Sequence, residues 1–472
     1  VSGDTGAWIE HSTCGCNFWT QLCTDYPGLT CDVAAGRCCG SPVTIDHNPH
    51  CYCEFSKYAK DTLGYQLQHA DSCREAAIEK TTANSGSERN ALLEIRSALG
   101  VPGWLDTALG DTPHCEWFGV SCNDAGLVTA IDLSSNNLTG SLPSKSFSSL
   151  RMLTSLNLAD NKIFGRVDSF YFYQLQGLEY IDVSKNSLSG EIHVLLSPSV
   201  KHVNLGNNNF VFVDRFPKFK QSFQTLQTLD LRYNAIVQEV SEVLMDIPPN
   251  LRELILTGNS IHGALPDPLP VLKDMRRFIM NDNSLSGRIP AISSSFPRIR
   301  DLDLANQSRA ENGGLSGSIP DVWSNLYECE FLDISHNRLV GKIPPDIGNL
   351  PRIKVVNVSN NSLSGQYIPA ELGKLESIEI FDSRNNNLNG SIPAELGSLK
   401  KTSVLLSGNY NISLPAPLSL CFVPGFDLKN DSGLCPNERN VLKEFYESAH
   451  GEEWTESEHW LEEYSDYCSW KG

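Results

Sequence analysis

Three sets of residues in this chain have the types that chemistry needs. Six aspartates, Asp132, Asp182, Asp230, Asp303, Asp333 and Asp382, each follow an apolar residue. Two carboxylates with pKa values pushed apart can share acid and base roles in glycoside hydrolysis. One setting repeated six times, however, describes a surface position and not a tuned pair. Arg252, Arg276 and Arg300 stand 24 residues apart, and a guanidinium offers a planar fork that suits carboxylate or phosphate. His47, His50, Cys51 and Cys53 are zinc-ligand types, but the cysteine density around them favours a cystine-stapled loop. The sequence contains no H-E-x-x-H, G-x-S-x-G, Walker or dinucleotide motif. No enzyme, cofactor or metal is therefore expected.

What must position the arginines is a repeat. From Leu127 to Pro415 the phrase L-x-x-L-x-L-x-x-N-x-L-x-G-x-I-P returns about every 24 residues. Aligned on the second leucine of L-x-L, the copies give Leu133, Leu158, Val183, Leu205, Leu231, Leu256, Met280, Leu304, Ile334, Val358, Ser383 and Leu406. Three residues on come Asn136, Asn161, Asn186, Asn208, Asn234, Asn259, Asn283, Gln307, Asn337, Asn361, Asn386 and Asn409. Such a period is the signature of a solenoid. L-x-L alternates as a short strand with its leucines inward, and asparagine serves the sharp turn that follows. Stacked copies make a parallel sheet with an asparagine ladder along one edge.

Leu138-Thr139-Gly140-Ser141-Leu142-Pro143, Leu285-Ser286-Gly287-Arg288-Ile289-Pro290, Leu339-Val340-Gly341-Lys342-Ile343-Pro344 and Leu388-Asn389-Gly390-Ser391-Ile392-Pro393 resemble the plant-type, extracellular class of leucine-rich repeat proteins. The resemblance implies an α/β solenoid: a right-handed superhelix with a concave parallel sheet and short 3-10 or helical turns on the convex side. Cys115-Glu116-Trp117-Phe118-Gly119-Val120-Ser121-Cys122 matches the family's N-terminal cap, which implies a Cys115–Cys122 clip. Cys421 and Cys435 are spaced like the family's C-terminal clip.

The expected organisation is a disulfide-rich module over 1–83, an N-terminal cap over 84–126, about twelve repeats over 127–420, a C-terminal cap over 421–437 and a second N-terminal cap beginning over 438–472. The first module holds nine of the fifteen cysteines, an odd number that leaves one thiol free or paired elsewhere. Cys329 stands at an inward leucine position and reads as a buried thiol. In the last segment Glu438-Arg439-Asn440-Val441-Leu442 echoes Glu88-Arg89-Asn90-Ala91-Leu92, and Cys468 echoes Cys115. The chain reads as mature or as a segment, since Val1 opens no signal sequence. Truncation of a longer tandem protein would explain the unfinished cap. So would a cap completed by a neighbouring molecule, with Cys468 in an intermolecular disulfide.

A formal charge of −19 argues against nucleic acid. No run is long enough and apolar enough to span a membrane. The cysteines, with N-x-S/T acceptors at Asn137, Asn306, Asn357, Asn360, Asn389, Asn411 and Asn430, point to a secreted or cell-surface glycoprotein whose sequons lie in exposed turns. Partners would be other copies of the chain or other extracellular proteins. On the concave face the position after the first leucine gives Glu179, Lys201, Gln227, Arg252, Arg276, Arg300 and Glu330. Tyr180, His202, Tyr233 and Phe331 add aromatic surface nearby. Three arginines in a row need acids, with Glu253 and Asp301 as candidates, or an anionic ligand; otherwise the face is solvated and self-paired. Departures from the period at 210–224 and 307–314 read as binding loops or as drift. The preferred function is a non-enzymatic structural or adhesion scaffold, a subunit of a head-to-tail fibre or surface layer. The alternative is the ligand-binding ectodomain of a receptor.

Overall fold

The structure, a computed structural model, describes residues 86–101, 112–167, 175–191, 198–211, 223–307, 313–365 except 324, 368–413 except 400, and part of 416–428. The chain divides into two compact units, Val1–Asn90 with Asp124–Leu127, and Ala91–Asn123 with Val128–Gly472; the second carries the architecture below.

Every turn contributes one short strand to a sheet of thirteen, in chain order from Val120–Cys122 and Val128–Asp132 to Ile380–Asp382 and Ser403–Leu405. Val120–Cys122 runs antiparallel to its neighbour. All later pairs are parallel and in step, so that Thr228 lies beside Glu253, Glu253 beside Arg277 and Arg277 beside Asp301. The register explains the repeat: Leu156, Ile181, Val203, Leu229, Leu254, Phe278, Leu302 and Leu332 all point into one continuous core and are essentially inaccessible. A strand of three residues cannot bury an apolar face alone, and stacking neighbours supplies the missing contact. Cys329 lies in that core as a free thiol, its pKa pushed up to about 12 by burial.

The asparagine position is a buried spine. Asn283 Nδ2 donates to Leu256 O at 2.9 Å, Met280 O at 3.0 Å and Asn281 O at 3.2 Å, while its Oδ1 accepts Ile261 N–H at 3.0 Å. From Asn161 onward each side chain thus satisfies carbonyls of two successive turns and at least one amide, groups the bend would otherwise bury unpaired. Gln307 makes the same set: Nε2 to Met280 O, Leu304 O and Ala305 O at 2.8, 3.3 and 3.0 Å, and Oε1 from Leu285 N–H at 3.0 Å. The spine therefore passes unbroken through the one position that departs from asparagine.

The residue before each spine amide turns with positive φ, from Ser135 through Asp160, Lys185 and Asn207 to Asn385. Asn and Asp tolerate this conformation best. Tyr233, at φ 50°, is a bulky exception.

Beyond the spine, second ladders form along the L-x-G segments, as in Thr139–Gly140, Lys162–Arg166, Ser187–Glu191 and Asn209–Val211. The convex side carries 3-10 turns at Pro345–Asn349, Ala370–Lys374 and Ala394–Ser398, each entered through proline, with short helices at Ser144–Ser148 and Val240–Met245. A helix over 86–99 opens the described chain; Leu92, Ile95 and Leu99 join the core. At Gly140, with φ 123°, a Cβ would come within 2.0 Å of Ala98 O, so only glycine lets the first turn meet that helix.

Candidate ligand-binding face

Cys115 and Cys122 form a disulfide, which fixes the entry to the first strand. His114 with these cysteines is the grouping of metal-ligand types among the described residues, but neither sulfur is a thiolate. Cys421, Cys435, Cys468, the His47–Cys53 stretch and Asn430 lie outside the described residues.

Three columns of side chains cover the sheet's outer face. The first runs Glu179, Lys201, Gln227, Arg252, Arg276, Arg300, Glu330 and Lys354, one per turn at about 4.8 Å. Its two ends are self-paired: Lys201 Nζ is 2.8 Å from Glu179 Oε2, and Lys354 Nζ is 2.6 Å from Glu330 Oε2. The hydrogen bond and charge of Lys354 hold the Glu330 carboxyl below its usual range, and Glu330 raises Lys354 in return.

The middle behaves differently. Arg276 Nη1 and Arg300 Nε lie 3.8 and 3.5 Å from a single carboxylate oxygen, Glu328 Oε2, distances at which charge attracts but no good hydrogen bond forms. Arg300 Nε is buried without a hydrogen-bond partner. The exposed Arg252 has no ion pair among the described residues. Glu253 and Asp301, expected to neutralise this run, instead hold Arg277, whose Nε is 3.0 Å from Asp301 Oδ2 and whose Nη1 is 3.4 Å from Glu253 Oε2. The physical reason is register: Glu253, Arg277 and Asp301 share the next column and stand side by side.

That second column also holds Tyr180, His202 and Phe331 in sheet register. Tyr180 and His202 lie with ring centroids 6.5 Å apart, and His202 Nδ1 is 3.2 Å from Thr228 Oγ1. Tyr180 Oη contacts Asp182 Oδ2 at 3.4 Å. Burial, then the Asp182 charge, raises the Tyr180 hydroxyl pKa. Tyr233 stands apart from them in the turn three residues past Asp230, 48% exposed. Its ring occupies the place a side chain on Gly258 would take, since a Cβ there would lie 2.3 Å from Tyr233 Cδ1. The structure therefore does not gather the seven expected residues into one cluster. It strings them across seven successive turns, with the three arginines consecutive.

The third column contains the aspartates. Asp132 accepts Ser134 N–H, Ser134 Oγ and Asn157 Nδ2 at 3.0, 2.7 and 3.1 Å; burial would raise its carboxyl pKa, but these bonds more than offset it. Asp230 and Asp382 are nearly buried beneath the guanidinium forks of Arg232 and Arg384. Asp230 and Asp303 are separated by Ile255 and Ile279, and Ile255 is only 3% exposed despite facing outward.

The sequons do not share one setting. Asn137 and Asn411 are exposed. Asn357 is not in a turn: it lies within the strand Val355–Asn357 on the aspartate column, its Nδ2 donating to Asp333 Oδ2 at 2.8 Å. Asn389 begins the outer strand Asn389–Ser391. Asn306 donates to Asp282 Oδ1 at 2.6 Å, and Asn360 Nδ2 lies 3.2 Å from a His336 ring nitrogen.

Comparison with known proteins places these features. The leucine-rich repeat N-terminal domain model matches residues 85–123 and 435–472, and leucine-rich repeat models match 328–350 and 149–165. Serine/threonine-protein kinase BRI1-like 1 of Arabidopsis thaliana is 29% identical over 234 residues, covering 49% of this chain and 20% of that protein. Receptor-like protein 54 of the same plant is 28% identical over 149 residues, covering 31% and 17%. The chain thus spans about a fifth of the length of these relatives. Among solved structures, the plant peptide hormone receptor RGFR1 in complex with RGF2 is 28% identical with a TM-score of 0.52, covering 66% of this chain and 52% of that one. The PEPR1–AtPEP1 complex, 23% identical with a TM-score of 0.51 over 74% and 55% of the two chains, shares the fold.

Proposed function

From a leucine-rich repeat chain of the plant-type class, located outside the cell or at its surface, we propose that this protein is the ligand-binding part of a receptor or receptor-like protein and that its concave face takes an acidic extracellular ligand. One observation carries the reading. Where the two ends of the column close in ion pairs, Arg276 and Arg300 meet the one carboxylate of Glu328 at long range, Arg252 has no ion pair among the described residues, and Arg300 Nε is buried without a hydrogen bond. A desolvated donor left open costs stability unless an acceptor arrives, so the run is held ready for anionic groups. The relatives named above are a serine/threonine-protein kinase and a receptor-like protein, and one structural relative is a plant peptide hormone receptor in complex with RGF2. These favour the receptor over the fibre scaffold preferred from the sequence. The protein itself is proposed to be non-catalytic.

The domain division given above, and glycans on the exposed Asn137 and Asn411, belong to the same proposal. Intact mass before and after deglycosylation tests the glycans. The binding reading is tested with hexaglutamate as an acidic probe. The wild type binds it, and the triple variant R252A/R276A/R300A loses binding while keeping its melting temperature. Equal binding by both would overturn the reading.

A further inference from the structure

Five of the six column aspartates are met by a matched set of donors. Asp132 has Ser134 and Asn157; Asp333 has Ser335 N and Oγ at 2.9 and 2.6 Å and Asn357 Nδ2 at 2.8 Å. Asp182 has Ser184 N–H and Asn204 Nδ2, both at 2.9 Å. Asp230 and Asp382 have the guanidiniums of Arg232 and Arg384. Among the described residues Asp303 receives the Ala305 N–H alone, at 3.0 Å.

Two departures from the column's pattern account for this. Two residues beyond the aspartate stands Ala305, where the other five have serine or arginine. On the following strand stands Asp333, in register with Asp303, where Asp132, Asp182 and Asp333 have an asparagine. Asp303 therefore lacks the side-chain donors of its equivalents and has a like charge as its neighbour. The titratable and charged side chains that the adjoining turns carry on this face are Arg277 and Asp282 on the preceding turn, Arg300 and Asp301 on its own, and Glu330, Asp333 and His336 on the following one. Arg277 is already committed to Glu253 and Asp301, and Arg300 leans toward Glu328.

We propose that Asp303 is a proton switch in the concave face, carrying a proton in mildly acidic surroundings and releasing it toward neutrality, so that the surface beside the arginine run changes by one charge. Consistent with the geometry, burial pushes the Asp303 carboxyl up to about 7 against the pull of the Ala305 N–H, with Asp333 and Asp282 adding to the rise. An unfolded aspartate titrates near 4. Between about 4 and 7 the folded chain thus binds more protons than the unfolded one, and this group's contribution to stability falls as pH rises through that window. A proton on Asp303 also favours an anion at the arginines. The coupling to ligand rests on the binding reading above; the switch does not.

The experiment uses the full chain. Melting temperatures are followed from pH 5 to 8 for wild type, D303N and A305S. Wild type loses about 2–4 °C more than D303N across the range. A305S supplies the hydroxyl that Ser134 and Ser335 give their aspartates, and moves the fall to lower pH. Parallel curves for wild type and D303N would overturn the switch. Hexaglutamate affinity is then compared between pH 6 and 8, with D303N cancelling the titration of the probe itself. Wild type weakens about two- to threefold more than D303N, the size of one charge at roughly 10 Å through solvent. If D303N flattens the melting curve and neither protein binds hexaglutamate, the arginine reading fails and the switch stands. If both bind and the melting curves stay parallel, the reverse holds.

Discussion

The asparagine spine and the arginine column run through the same turns a few residues apart and follow opposite rules. Along the spine every turn needs the same amide to satisfy the same carbonyls, and the single substitution, Gln307, reproduces the bonds of Asn283 one for one. Along the column the residue changes from glutamate to lysine to glutamine to arginine, and neighbours compensate only where the pairs close. Backbone groups buried by a bend make identical demands at each turn. A solvated side chain makes none, so a run of three like charges in that column is free to answer to something outside the molecule.

The largest effect should come from breaking the spine. Asn283→Ala removes four hydrogen bonds and leaves buried carbonyls and the Ile261 amide open, a loss of about 3 kcal/mol or more measurable by urea unfolding. Gln307→Asn should cost clearly less than Gln307→Ala; equal costs would mean that the glutamine's bonds contribute nothing. Next in size is Gly258→Val. Its φ of 71° and the Tyr233 ring in the way predict a loss of about 2 kcal/mol together with an altered near-UV signal from the displaced tyrosine.

In the column the prediction inverts. Arg276→Ala should weaken hexaglutamate binding in a salt-dependent way and move the melting temperature by no more than about 1 °C; a large fall would make the arginine structural and erase the contrast between the two regions. The smallest effect is expected at Ser383, which occupies a leucine position, is fully buried and leaves its hydroxyl without a partner. Ser383→Ala should leave stability unchanged or raise it by about 1 kcal/mol.

Periodicity made the fold legible, since spacing alone located the strands, the inward leucines and the spine. Columns were legible one at a time, but ion pairing crosses columns. Glu253 and Asp301 looked available to Arg276 and Arg300 until the register set Arg277 between them, and Glu328 precedes the first position of its turn, where alignment on the leucines does not look. For Asn357 the signal was present: it directly precedes the aligned Val358, the outward strand position. Its acceptor motif, which is local, says nothing of where the residue faces. The poverty of donors around Asp303 was also visible, as an alanine and an aspartate out of pattern, but it acquires meaning only beside its better-supplied equivalents.

The antiparallel pairing of Val120–Cys122 with Val128–Asp132 has a bearing on how such a molecule changes over generations. Each later strand is laid beside its predecessor in the same direction and step, so duplicating or deleting a whole internal turn regenerates the pattern on both sides of the scar. The opening strand offers its neighbour a reversed edge that no copied turn can reproduce. Gain and loss of turns is thereby kept away from the opening edge of the array, so that a change in number lengthens or shortens the sheet and leaves its founding strand in place.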